Sequence, residues 1–294
     1  MTHATLGDII AHIETLWPTE YAEPWDTNGL STGDMSSRVS TILMALDPMD
    51  AVIDEAVALN ADLLFTHHPL LLRGVTSVAS HTLKGGALTR LISHGIAQYN
   101  AHTNADSALG GVSDVLADML ELTDRQPITS GPNHPDGVGL GRVGNLPQPR
   151  TVAELAHTLA RATPATQTGI RVAGVPNATV TRVAVLAGSG DSLFDEVRAH
   201  GAEVYVTSDL RHHPATEARD TAHRGNNTPH LIDIAHWAAE SPWMSIAATQ
   251  LGERLKEDGF DVDIHVSTAR TDPWDLRIPA HDEAQGEDRH GTYS

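Results

Sequence analysis

Five residues of metal-ligating type fall in three separated clusters: the adjacent pair His67 and His68, then Asp106, then His236 and Glu240. Each cluster follows an apolar run, LLFTHH, IAQYNAHTNAD and HLIDIAHWAAE, that reads as a buried strand. All three clusters are therefore expected at the carboxyl ends of strands, where open α/β sheets bind ligands. The expectation is one site, large enough for two metal ions.

Imidazole and carboxylate are suitable donors for Zn, Fe, Mn, Ni or Co. The chain has no cysteine, which excludes thiolate metal sites, disulfides and cysteine nucleophiles. Two divalent metal ions of open identity are the expected cofactors. Successive strand residues point to opposite faces, so His67 and His68 reach one ion only if the chain turns. Pro69 restricts the backbone of His68 and favours a turn; the natural result is that each histidine serves a different metal, with carboxylates between them. His236 and Glu240 stand four apart, which at a helix start puts them on one face. His102 and Asn104 lie close enough to Asp106 to orient a ligand from the surrounding layer. Two divalent ions against two carboxylates and one hydroxide leave a charge of about +1, which suits an anionic small-molecule substrate such as a phosphate ester. Each part alone has a plainer reading: a surface histidine pair, a solvated HxxxE face, a loop aspartate that caps a turn. Their joint placement after three strands favours the metal.

Composition bounds the alternatives. With 38 acidic and 19 basic residues the formal charge is −19, and no stripe of Lys and Arg exists to neutralise phosphates, so nucleic-acid binding by a basic patch is excluded. A chain of 294 residues can bury one large core or two ordinary domains. No apolar run of about 18 residues occurs and the start lacks a basic region followed by an apolar one. Neither a membrane span nor a signal peptide is expected, and the cytoplasm is the expected compartment. The 18 histidines include many, such as His3, His12, His81, His94 and His157, in contexts with no shared purpose.

The elements that must position these residues repeat. Shifting the sequence by 141 residues aligns 39–66 with 180–207 without a gap, and seven residues coincide, among them Asp54 with Asp195, Glu55 with Glu196 and Thr66 with Thr207. Both copies read as strand, turn, helix, strand. Any two βαβ units share such patterning, but here the register holds through both strands, and both copies run into metal-capable residues: His67 and His68 in one, Ser208, Asp209, His212 and His213 in the other. Helices are expected over 1–17, 84–94, 111–122 with Ser113 as N-cap, and 151–163 with a Thr151/Glu154 capping box. The expected organisation is a first α/β domain over 1–126 and a Pro- and Gly-rich connection over 127–150, in which only VGLGRVG could be a short strand. A second α/β half follows over 151–270, its 230–255 segment adding ligands to the shared site. An acidic tail over 271–294 is expected to be partly disordered, from about 279 onward.

At these residues the sequence resembles the NIF-three-like family, often labelled GTP cyclohydrolase I type 2 homologues. The resemblance covers roughly residues 5–255 and rests on an ordered set: EPWDTNGLSTGD, FTHHPLLLRGV, IAQYNAHTNADSALGGVSDVLADML, GLGRVGNL, TSDLRHHPATEA and DIAHWAAE. It implies two similar α/β domains, a dinuclear metal site in the cleft between them, a ring-shaped homohexamer, and His67, His68, Asp106, His236 and Glu240 as the ligands. The chain resembles the shorter family form, without an inserted domain. It departs from the family at Ser208, where glycine is common, and at His212, where an aromatic residue is usual. Asp209 and His213 fall in a segment near the cleft, and Trp25, Asp26, Asn28 and Gly29 in a loop close to the site. The leading functional expectation is a metal-dependent hydrolase whose nucleophile is a metal-activated bridging water; the competing one is a non-catalytic hexameric metal carrier or regulatory scaffold. Opening of the GTP imidazole ring is implied by the family label alone, since no GxxxxGK[ST] loop is present to cradle phosphates.

Overall fold

The computed structural model describes residues 3–278. Among these, the strands form two main sheets and a small ribbon of Ala4–Thr5 against Arg38–Val39. The first sheet runs Asp263–Val266, Thr41–Ala45, Leu63–Thr66, Ala97–Asn100, Gly29–Thr32, and every pair is parallel except the last. The second runs Thr123–Gln126, Arg142–Thr151, Thr179–Ser189, Val204–Ser208, His230–Ile234, Ile170–Ala173. Its three inner strands from Thr179 to Ile234 are parallel and its flanking pairs antiparallel.

The 141-residue offset reappears in the pairing. Ile42 lies opposite Leu63, Leu43 opposite Leu64 and Met44 opposite Phe65; the offset carries these onto Val183 with Val204, Ala184 with Tyr205 and Val185 with Val206, which are also paired. Each half opens with a helix held by a capping box, Leu6–Leu16 through Thr5 and Asp8, and Val152–Ala162 through Thr151 and Glu154. The box at Thr151 was legible in the sequence; the one at Thr5 satisfies orphan amide groups in the same way.

Strand alternation divides the core. Ile42, Met44, Leu63, Phe65, Val183, Val185, Val204, Val206, Ile232 and Ile234 join one central core, together with the helices Leu6–Leu16, Val112–Met119, Val152–Ala162 and Pro242–Glu257. The intervening residues face outward into two separate cores: Leu43, Ala45 and Leu64 in one, Ala184, Tyr205 and Leu231 in the other. Side chains alternate between faces along a strand, so one face of each sheet builds the shared core and the other packs under its own helices.

The expected boundaries change accordingly. The connection at 127–150 is not a plain linker, because Arg142–Thr151 is a ten-residue strand inside the second sheet. Thr123–Gln126, expected in the first domain, pairs with that strand. Asp263–Val266, expected in the second half, is the edge of the first sheet. Edge strands are placed by the backbone that accepts their hydrogen bonds, which composition does not reveal. Helix Val112–Met119 is capped at Gly111, and Ser113 lies buried within its first turn. Residues 271–278 are without regular structure and include the buried Asp272; the part of the expected disordered tail from 279 onward lies outside the described residues.

Beneath the strand ends that carry the candidate ligands, aromatic rings join the halves. Trp17 meets Trp243 at 5.1 Å and Phe65 at 5.5 Å between centroids, Phe65 stacks on Tyr99, and Trp243 reaches His67 at 5.5 Å. Trp17 and Trp243 are almost wholly buried. Trp243→Ala is expected to cost about 3–5 kcal/mol, seen as a lowered urea midpoint with an unchanged slope. A cost below about 1 kcal/mol, well under that range, would show that the seam does not hold the halves together.

Candidate metal centre

The three clusters converge. His67 and His68 continue past Leu63–Thr66 beside the neighbouring strand, their amides donating to the carbonyls of Ala45 and Leu46 at 3.2 and 2.9 Å. Asp106 lies in the short helix Thr103–Ser107 that follows Ala97–Asn100. His236 and Glu240 open and close the helix His236–Glu240 that follows His230–Ile234. The imidazole Nε2 of His67 stands 3.8 Å from both Asp106 Oδ1 and Glu240 Oε1. His68 Nε2 stands 3.0 Å from Glu240 Oε2, and His236 Nε2 is 3.0 Å from Glu240 Oε1. Two groups of ligand atoms within 4.8 Å of one another, His67–Asp106–Glu240 and His68–His236–Glu240, thus share Glu240.

A further histidine joins them. His67, His68 and His102 form a third such group, so His102, expected only to orient a ligand, can itself be one. A sequence signal existed: His102 precedes Asp106 by four residues just as His236 precedes Glu240, each pair two residues after the third parallel strand of its half.

Every ring is aimed by its other nitrogen. Nδ1 of His67 bonds the Ala101 carbonyl at 2.8 Å, that of His68 bonds Asp47 at 2.7 Å, that of His102 bonds Asp26 at 2.8 Å and that of His236 bonds Asp209 at 2.7 Å. Such partners place the proton on Nδ1 and leave the Nε2 lone pair for a cation, as in ligating histidines. On the cluster's interior, buried His67 Nε2, Asp106 Oδ1, Glu240 Oε2 and His236 Nε2 have no hydrogen-bond partner among the described residues; the 3.0 Å contacts lack the angle a hydrogen bond needs. Unsatisfied buried polar atoms are costly, and a cation in each of the two groups would satisfy all four.

The remaining expected residues divide. Asp209 holds His236, as a supporting residue would. Asn104 turns away, its amide donating to the Trp17 carbonyl at 2.7 Å. His213 lies exposed on helix His212–Arg224, its ring against His212. Asp26 also accepts from the Thr103 amide at 3.0 Å and the Thr103 hydroxyl at 2.5 Å, tying the EPWDTN loop to the Asp106 helix. Asp47 escaped the sequence reading, because a lone Asp after a strand signals only a turn.

The 141-residue offset maps Asp47 onto Gly188 and His68 onto Asp209. Gly188 has φ +90°, and a Cβ there would stand 2.5 Å from Glu240 Oε1. Where one half supplies a supporting carboxylate, the other leaves room for the shared ligand.

Electrostatics match this geometry. Burial works to raise the pKa of Glu240, yet the charges of His236 and His68 hold it well below the usual carboxylate range. Asp106 goes the other way, pushed up to about 7 by burial and then by the Glu240 charge. Burial opposes the charged form of His68, but Glu240 and Asp47 outweigh it and raise its pKa to about 10. Without a metal, protons on these histidines do the compensating.

Fold and cluster together define a mixed α/β protein of two sheets with a candidate His/Asp/Glu metal site. The chain belongs to the Duf34/NIF3 (NGG1p interacting factor 3) family, whose pattern matches residues 4–273. It is similar to the GTP cyclohydrolase 1 type 2 homolog of Streptomyces coelicolor, 51% identical over 274 residues that cover 93% of this chain and 94% of the relative. No large insert separates the two. A Bacillus cereus protein related to NIF3 shares the fold with a TM-score of 0.84 at 23% identity, covering 94% of this chain and 100% of the other. Staphylococcus aureus protein SA1388 does so with a TM-score of 0.82 at 25% identity, covering 93% of this chain and 99% of the other.

Three outcomes are expected of this arrangement. Asp209→Asn should lower metal affinity about 10–100-fold in a chelator competition that His213→Ala leaves unchanged; equal effects would mean Asp209 has no special part. Gly188→Ala should fold yet bind metal more weakly, because its Cβ displaces Glu240. Metal must displace the proton from His68 and, in part, from Asp106, so affinity should rise with pH through 7 and uptake should release protons. Titration calorimetry in buffers of different ionisation enthalpy measures that release, and a buffer-independent heat would contradict it.

Proposed function

We propose that this protein is a metal-dependent hydrolase working with two divalent ions, one held by His67, Asp106 and Glu240, the other by His68, His236 and Glu240, with His102 completing the set. The observation that carries the reading is the orientation of the histidines: four commit Nδ1 to a fixed acceptor, three of them, His67, His68 and His236, bring Nε2 within 3.8 Å of buried Glu240, and His102 groups with His67 and His68. Bound ions would acidify a water between them and polarise an electrophilic carbon or phosphorus centre. The chain's own contribution is to hold Glu240 ionised, to orient the rings through Asp26, Asp47 and Asp209, and to keep the surroundings dry with Trp243. Two carboxylates do not neutralise two divalent ions, so an anionic substrate is favoured.

Three or so side chains per ion leave coordination positions open, which favours catalysis over storage or a scaffold role, where protein ligands close the site. The coincident registers and repeated HxxxD and HxxxE spacing support a duplicated α/β unit whose copies face each other across the centre. Assembly as a homohexamer is the family-based expectation, which the mass in solution tests. The name of the Streptomyces relative brings GTP in as one substrate to try.

The deciding experiment reloads stripped protein with Mn, Fe, Zn, Ni or Co and assays nucleotides, GTP included, and phosphoesters. Turnover should depend on metal and fall at least about 100-fold in His68→Ala, a loss of about 2.7 kcal/mol in transition-state stabilisation. Activity that survives His68→Ala would sink the assignment.

A further inference from the structure

Beside His236 and Asp209 opens a cavity of about 760 Å³. Its volume lies in the range of small-molecule sites. Two indoles, Trp237 and Trp274, and two guanidinium groups, Arg171 and Arg277, line it. Asp209, Asp233 and Asp272 line it as well, so the guanidinium groups sit among carboxylates. The carboxylates nearby are already matched: Asp233 takes both Nε and Nη2 of Arg171, Asp209 faces His236, and Asp272 takes Nη2 of Arg270 at 3.0 Å. Arg171 Nη1 remains uncommitted among the described residues, on a side chain that is 65% exposed.

Trp274 comes from the segment after the last strand, which composition marks as a tail. That segment is pinned to the metal centre. The Thr271 hydroxyl donates to Asp47, whose other oxygen holds Nδ1 of His68, and Arg270 donates to the Trp274 carbonyl. Asp272 is buried, whereas Trp274 remains 58% exposed. A large indole kept in water at a fixed distance from a metal site, with guanidinium groups beside it, is what stacking and charge pairing with a flat anion require.

We propose that this cavity binds a flat aromatic ring carrying an acidic group, and that residues 271–277 form the wall that selects it. The proposal deepens the hydrolase reading and rests on it for the end of the ligand that faces His236. The ring lies among Trp237 and Trp274, and the acidic group meets Arg171.

Equilibrium titration of the full chain, metal-loaded and metal-stripped, tests this with 1-naphthyl phosphate and adenosine monophosphate as the simple and the nucleotide form of the class. Glycerol phosphate supplies the acid without a ring, and 1-naphthol and adenosine supply the ring without the acid. At least one aromatic phosphate should bind tenfold or more tightly than all three controls, and the tighter of the two names the source. Trp274→Ala should weaken it at least fivefold and leave glycerol phosphate unchanged. Arg171→Gln should weaken both phosphates and spare adenosine. Unchanged aromatic affinity in Trp274→Ala, or glycerol phosphate binding as tightly as the aromatic phosphates, would overturn the wall. The stripped protein separates the two ideas: ring-selective binding there upholds the wall even if the loaded protein hydrolyses nothing, and turnover without ring selectivity upholds only the hydrolase.

Discussion

The Glu240 carboxylate is the constraint on which the site turns. It is 2% exposed, and an ionised carboxylate removed from water is costly unless positive charge meets it. The second half of the chain supplies Glu240 and His236, while the first supplies His67 and His68. Full compensation therefore exists only while the two halves stay docked. Trp243 stands three residues beyond Glu240 and packs on His67 and Trp17, so the same stretch of chain carries the charge and the apolar contact that keeps its partners in reach. The single core shared by both sheets follows from that demand as much as from burial.

A near-symmetric scaffold produces an unsymmetric site. Paired registers and the HxxxD and HxxxE pairs come from both halves, yet Asp47 faces Gly188 across the offset, and His68 faces Asp209. At each such pair one half provides a ligand or its support and the other provides space or an orienting carboxylate. The 2.5 Å at which a Cβ on Gly188 would stand from Glu240 Oε1 shows how tightly space is partitioned there.

Much of the site was legible because the ligand types are rare in apolar context and each follows a buried run. His67, His68, Asp106, His236 and Glu240 all lie in the cluster, and Asp209 touches it. The misses have physical causes. His102 looked like support because its spacing to Asp106 matters only once the third strands of both halves are superposed. Asn104, two residues from Asp106, faces Trp17 because neighbouring helical positions point in different directions. His213 shares its segment with Asp209 but sits on the outer surface of a helix. Thr271 and Trp274 were hidden by a polar, proline-containing composition that reads as a solvated tail.

The sequence by itself determined the parallel βαβ units, the 141-residue register, the donor chemistry without sulfur and the helix start at Thr151, because these depend on residues near one another along the chain. Tertiary structure alone decided which ring nitrogen faces inward, that Glu240 is common to two candidate ligand groups, that Arg142–Thr151 and Asp263–Val266 join their sheets, and that Asp272, Pro273, Trp274 and Arg277 line a cavity beside the candidate metal centre. Those outcomes depend on contacts between segments as much as 224 residues apart, as Asp47 and Thr271 are. Local propensity carries no information about which distant backbone or side chain will complete a hydrogen bond, and packing of the shared core settles it.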